Sequence, residues 1–539
     1  MSIDFVSWTL KSWIVVATAL VLTITISQII YNAFFHPLSK VPGPFLCRIS
    51  GIPSWYYATR GDRHIWLWQL FQIYGPKIRV TPNTILFRDP AAYRDIYTQK
   101  ANVQKAAFYE AWQKDKDDIN TFNTRNKQAH SRRRKMLNQS FTEQSLRASQ
   151  PFLIKHVDRW NELLVAETGD DQWSKPMNFA DVSDTLVFDI MGDLCFGTSF
   201  DIKEREENPF KTMPHVVVQY MQFFYPLTRS PMLNLIVWLK PRGLDALFKS
   251  ITPPNIKSYI SFVEDCVTKR LELYQAQKEK TVSEQRQDMF WFLCDAKDDA
   301  GDPAYSEGEL RAEANMLIVG GTDTTSVTLA AVMFYLTRDA LRLQKLVDEI
   351  QSTFSTPEHI AHGPQLTSCI YLRACIDEAM RLSPSGPSEL PREILKGGAI
   401  INGEFYPQGT VVGSSGWATG HNDEFYGDSE VFRPERWIPD ESTGVTEEEV
   451  NVLRANFHPF AQGPGSCPGK NIAILELSIA IARTLHRLEV RKPLEGDNSL
   501  GQGIPTNGWG MRNKNIFQLQ DAYISVRNGP MVQFKKRPV

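Results

Sequence analysis

Apolar residues run almost unbroken from Trp13 to Tyr31, and between Lys11 and Lys40 only His36 can carry charge near neutral pH. The stretch is about the ~20 residues a bilayer requires, with aromatic residues at both ends as interfacial anchors. A cleaved leader would have a shorter apolar core ending in small residues, whereas Tyr31, Phe34 and Phe35 follow here. The pattern predicts a retained single-pass anchor over residues 13–35 behind a short tail, 1–12. Lys11 on one side against Lys40 and Arg48 on the other leans toward a cytosol-facing body. Val41-Pro-Gly-Pro44 predicts a stiff hinge over 36–45, leaving 46–539 as the body.

Within the body, short apolar runs between turn residues (Tyr74 to Val80, Asn83 to Phe87) predict a small β element. Residues 150–300 read as helices broken near Pro226, Pro231 and Pro253-Pro254. A long helix is predicted from Ser306 to Arg338, with Ser306 and Glu309 spaced as a capping box. Ile370–Leu382 and Lys470–Ala482 are two more amphipathic helices. The fold class is therefore mainly α with small β-sheets, preceded by one transmembrane helix.

Composition narrows the reading. The 539 residues are 42% hydrophobic and 22% charged with net charge −2, so a sizeable core is available and nothing favours nucleic acid. Seven scattered cysteines, none at zinc-finger or redox-motif spacing, speak for reduced thiols.

The candidate chemistry centres on Phe460-Ala-Gln-Gly-Pro-Gly-Ser-Cys-Pro-Gly469, a glycine- and proline-rich loop that places Cys467 just before a helix. Helix-terminal N–H groups and the helix dipole favour a thiolate there, and the glycines let backbone approach a flat ligand. A buried, inert cysteine is the bland alternative. A phosphate cradle is excluded, because Pro464 and Asn471 stand where that pattern needs glycine and Ser/Thr. In the long helix, Gly320-Gly-Thr-Asp-Thr-Thr325 carries two mid-helix glycines, each costing about 1 kcal/mol against alanine. Close helix packing or room for a ligand would explain them. Gly320, Gly321 and Thr324 share one face, with Asp323 beside it.

Taken together, these segments resemble the cytochrome P450 family. The cysteine loop is similar to its haem signature, Phe-x-x-Gly-x-Arg-x-Cys-x-Gly, through Phe460, Gly463, Cys467 and Gly469; Gly465 stands where arginine is usual. Gly320 to Thr325 resembles the oxygen-activation motif, Glu378 and Arg381 the Glu-x-x-Arg pair, and Phe432-Arg-Pro-Glu-Arg-Trp437 the segment that adds Arg436 to it. The linker from Tyr31 to Pro44 and the segment Phe188–Gly197 look like those of fungal microsomal members.

The resemblance implies a P450 fold, haem b with Cys467 as axial iron ligand, and His130, Arg134 and Arg392 on its propionates. It implies Asp323 and Thr324 as proton-delivery residues, Gly320 and Gly321 at the oxygen and substrate pocket, and Glu378, Arg381 and Arg436 as scaffold. The activity implied is insertion of one atom of dioxygen into a lipophilic small molecule, in fungal specialised metabolism. Electrons would come from NADPH through cytochrome P450 reductase, with cytochrome b5 as a second donor, at the endoplasmic reticulum. Arg132, Arg133 and Lys135 are then available to an acidic redox partner, while Glu389 faces solvent or a rather polar pocket wall. Gly465 predicts weakened haem retention. A haem-thiolate isomerase or dehydratase and a haem sensor are the alternatives, and the Asp323–Thr324 pair argues against both.

Overall fold

Helix α1 (Ser2–Ile30) contains neither proline nor glycine, and it widens into a π-helical turn, Tyr31–Phe35, before His36-Pro37 stops it. Residues 2–12 are thus continuous with the helix. Ser12–Phe35 has a mean hydropathy of 2.2, and none of its most apolar window is buried. It has the length and apolarity to cross a bilayer. The computed structural model describes residues 2–114, 118–169, 171–278, 286–298, 300–496 and 498–538.

The segment expected as a hinge is docked onto the body. Arg79 donates to the carbonyls of Asn32, Leu38 and Pro82, and its own N–H reaches Pro42 O at 2.7 Å. Gly43 passes so close that a Cβ there would lie 2.5 Å from Arg79 O. Leu38 and Val41 are buried against the sheet. A single buried guanidinium collecting main-chain carbonyls thereby fixes where the anchor leaves the body.

The body is mainly helical. Its principal helices are α2 (Lys127–Leu137), α3 (Glu143–Leu164), α4 (Phe179–Phe196), α5 (Met213–Thr228), α6 (Pro254–Lys278), α7 (Glu307–Leu336), α8 (Ile370–Leu382) and α9 (Lys470–Arg487). The long helix starts where its capping box predicts: Ser306 Oγ accepts from Glu309 N–H while Glu309 Oε2 accepts from Ser306 N–H. Although α7 is apolar enough to span a membrane, 78% of its apolar window is buried, and it packs against α4, α8 and α9 as the central rod of the core.

A five-stranded sheet lies beside this bundle, in the order β1 (Lys77–Thr81), β2 (Thr84–Phe87), β5 (Val411–Gly413), β4 (Arg392–Ile394), β3 (Val103–Lys105). Only β2 and β5 pair in parallel. Near the C-terminus, the hairpin β6 (Gln520–Ala522) and β7 (Ile524–Val526) returns chain to α7.

Candidate functional site

The cysteine loop is closed by main-chain bonds. Cys467 N–H donates to Phe460 O at 2.8 Å, and Ser466 N–H to Gly463 O at 3.0 Å. Gly463 has φ +66°, and a Cβ there would collide with Tyr97 O, so glycine is required twice over. Gly469 precedes α9, and its N–H lies on the Cys467 sulfur. Burial raises the thiol pKa, while that amide and Arg134 act in the opposite sense. Helix-end amides alone therefore do not outweigh burial. Solvent nevertheless reaches Cys467, so the sulfur lines an internal surface and is not sealed in aliphatic packing.

On α7, Gly320 is the only exposed residue between Leu310 and Leu336. The two glycines divide the two explanations between them. A Cβ on Gly320 would find nothing nearer than Met316 Sδ at 4.0 Å, whereas on Gly321 it would lie 2.4 Å from Met191 Cε of α4. Gly321 is a close-packing glycine, because the 3.6-residue period turns it toward α4; Gly320 alone opens space. Thr324 lies one turn on, and its Oγ1 donates to Gly320 O at 2.7 Å, leaving the oxygen lone pairs free to accept.

Asp323 is 1% exposed, and burial pushes its carboxyl up to about 7. Its Oδ2 has no partner, and its nearest cation, Arg527 Nη1, is 3.8 Å from Oδ1. Arg527 is already engaged by Asp184 of α4 and Ser326, so burial dominates. Neither Arg527 nor Asp184 was visible from sequence, since both are brought in from distant segments.

Basic groups gather around the loop. Arg134 donates to Ser466 O and Arg392 Nη1 to Tyr109 Oη at 2.9 Å, and a Cβ at position 465 would lie 2.5 Å from Arg392 Nη2. Arg392 thus occupies the space beside the glycine that replaces the signature arginine. His130 is buried and pushed down to about 3 by burial and then by Lys105, Arg134 and Arg392. Lys105, at the end of β3, is also depressed, by burial and then by Arg392. Sequence gave no sign of it, because a strand-end lysine ordinarily reads as solvated. Arg134, Arg392 and Lys105 crowded around a neutral His130 next to a cysteine loop match a cofactor that brings carboxylates and a metal: the donor set fits haem.

The remaining basic cluster differs from expectation. Arg133 is held by Glu309 at 2.6 Å and lies 3.8 Å from Glu313, and Arg132 donates to Ala304 O. Arg133 is therefore spent inside the fold and is not free for a redox partner. Glu389 also differs: it is 1% exposed and takes a bidentate bond from Arg63 at 2.6 and 2.9 Å, plus one from Arg229.

The scaffold residues lie together. Glu378 accepts from Arg381 at 2.7 and 2.9 Å, Arg436 Nε at 3.0 Å, Trp437 Nε1 at 2.9 Å and Arg433 N–H at 2.9 Å. Burial would raise its pKa, but Arg381 and then Arg436 outweigh it and hold the carboxyl below its usual range.

A family model described as Cytochrome P450 matches residues 42–513. Cytochrome P450 monooxygenase apf7 of Gibberella fujikuroi is 34% identical over 95% of this chain and 96% of its own length. Cytochrome P450 monooxygenase AKT7 of Alternaria alternata is 31% identical over 97% of both, and Cytochrome P450 monooxygenase poxM of Penicillium oxalicum 32% over 94% and 92%.

Proposed function

The chain belongs to the cytochrome P450 family of haem-thiolate oxygenases, and from that premise we propose a membrane-anchored monooxygenase of fungal specialised metabolism acting on a lipophilic small molecule. The observation that carries this reading is the pairing of a solvent-reached Cys467 in its closed loop with a buried acid, Asp323, and the neighbouring Thr324 hydroxyl on α7. Cys467, Arg134, Arg392, His130 and Lys105 would hold haem b, which would supply the iron for dioxygen activation.

The chain's own residues supply protons. Asp323 stores a proton at its carboxyl near neutral pH in a buried site. Thr324 Oγ1, its hydrogen committed to Gly320 O, presents lone pairs beside the space Gly320 opens. An isomerase, dehydratase or sensor has no need of such a pair.

A second membrane contact accompanies the anchor. Phe45, Leu46 and Ile52 lie exposed, as do Met232, Trp238 and Leu247, and Gly51 is in reach of Pro231. An apolar patch of this kind suits a body lying on the lipid surface of the endoplasmic reticulum. Electrons then come from NADPH–cytochrome P450 reductase, with cytochrome b5 as an auxiliary donor.

The test is the far-red-shifted absorption of the reduced protein under carbon monoxide, in wild type and Cys467→Ala. Product analysis in microsomes with NADPH and reductase follows. A wild type without the shifted band, or a Cys467→Ala variant that keeps it, overturns the reading.

A further inference from the structure

An aromatic cluster continues from α7 toward the patch just described. Phe108, Trp112 and Tyr225 are buried, half-buried Tyr523 and Val319 pack against them, and Val319 is the residue before Gly320. Ring centroids of Phe108 and Tyr523 lie 5.1 Å apart, and those of Trp112 and Tyr523 5.9 Å. Arg229, at the C-terminal end of α5, stacks 4.3 Å over Phe108 and 5.4 Å over Tyr225. The same helix end carries Phe223, which is exposed, and Phe224, packed on the cluster. It therefore bridges the lipid-facing surface and the interior.

The polar groups of this cluster do not balance. Its two carboxylates, Glu389 and Asp521, are already taken. Glu389 accepts from Arg63 twice and from Arg229 Nη1. Asp521 accepts from Tyr225 Oη at 2.8 Å and Ser388 Oγ on one oxygen, and from Tyr523 N–H at 3.0 Å on the other. The groups left over are donors: Arg229 Nε and Nη2, and Trp112 Nε1, all buried without a partner. The Arg229 side chain is only 8% exposed. Buried donors without acceptors are costly and rare, and these three call for a ligand that brings acceptors. In a guanidinium, Nε–H and Nη2–H project in parallel from one edge, the fork that takes a carboxylate bidentately. Arg229 has spent Nη1 on Glu389 and kept that edge.

We propose that Arg229 anchors the substrate of this enzyme by its carboxylate, and that the substrate is a lipophilic carboxylic acid whose apolar body lies along Phe108, Trp112 and Tyr523 toward Gly320. This rests on the monooxygenase reading above. An amphipathic acid gathered at a membrane surface would reach Arg229 from the exposed patch, head group and tail in the order the cluster presents.

The test uses full-length, haem-loaded protein in detergent and follows the ferric absorption shift. The probes are ω-phenyl carboxylic acids of about four to ten carbons and their methyl esters, with no turnover required. The expected result is that at least one acid binds wild type at least tenfold tighter than its ester. Arg229→Met, which leaves Glu389 its bidentate Arg63, loses that preference. Arg229→Lys, which keeps a positive charge but no fork, retains only part of it. Equal affinity of acid and ester, no binding of any acid, or an unchanged preference in Arg229→Met overturns the assignment. The carbon monoxide band separates the causes. With the thiolate band present in wild type and variants, such a result refutes the anchor alone; without it in wild type, the monooxygenase reading falls and the anchor with it.

Discussion

Replacing Asp323 by asparagine should make the protein less sensitive to rising pH. The carboxyl moves from 3.8 to about 7 on folding because burial penalises its charged form. A raised acid is neutral in the native state and ionised in the unfolded one, so stability is lost as pH climbs from 3.8 toward 7. With ~1.4 kcal/mol per pKa unit, the penalty is about 1.5 kcal/mol at pH 5 and on the order of 4 kcal/mol at pH 7.5. The groups facing Asp323 are Arg527, Asp184 and Tyr259, none of which the substitution alters. An asparagine buried in its place brings its own cost of about 1–3 kcal/mol, but that cost does not depend on pH. The readout is therefore the slope. Urea unfolding of the haem-loaded protein, followed by tryptophan fluorescence between pH 5 and 7.5, should show the variant gaining about 2.5 kcal/mol on wild type across the range. Parallel stability curves would refute a neutral, proton-storing Asp323. The same variant should form less product per NADPH consumed, since it has no proton to deliver.

Other expectations concern the two glycines, the buried charge cluster and haem retention. Gly321→Ala should cost about 1–3 kcal/mol because Met191 must move, while Gly320→Ala should unfold no earlier than wild type yet alter optical ligand titrations; thermal unfolding of the pair decides. Glu378→Gln leaves Arg381 and Arg436 without their shared anion and should cost about 3–5 kcal/mol, measured by urea unfolding, with near-wild-type stability contradicting the buried triad. Arg392→Met removes a charge-assisted contact of about 1.5–3 kcal/mol and should speed haem transfer to apomyoglobin roughly ten- to hundredfold. Gly465→Arg should slow it, and equal rates for wild type and this variant would dismiss the idea that the glycine weakens retention.

Much of the site was legible because its residues are local in sequence. A capping box fixed the start of α7, the i, i+3 spacing placed Glu378 and Arg381 on one face, and the glycine-rich loop announced Cys467. Glu389 misled because a charged residue in a proline-rich stretch ordinarily faces water; its partners, Arg63 and Arg229, are far off in the chain. Arg133 misled in the same way, since Glu309 and Glu313 on α7 answer it.

What the chain determined by itself were features with a short period or a fixed spacing: the apolar N-terminal helix, the long helices, the motif loops and Cys467 as the candidate iron ligand. Tertiary structure alone decided the division of labour between Gly320 and Gly321, the docking of the 36–45 segment by Arg79, and the meeting of Arg527, Asp184 and Asp323. Side-chain partners across hundreds of residues leave no period to read. The free energy of a buried charge depends on which opposite charge folding brings beside it, and only the folded chain specifies that neighbour.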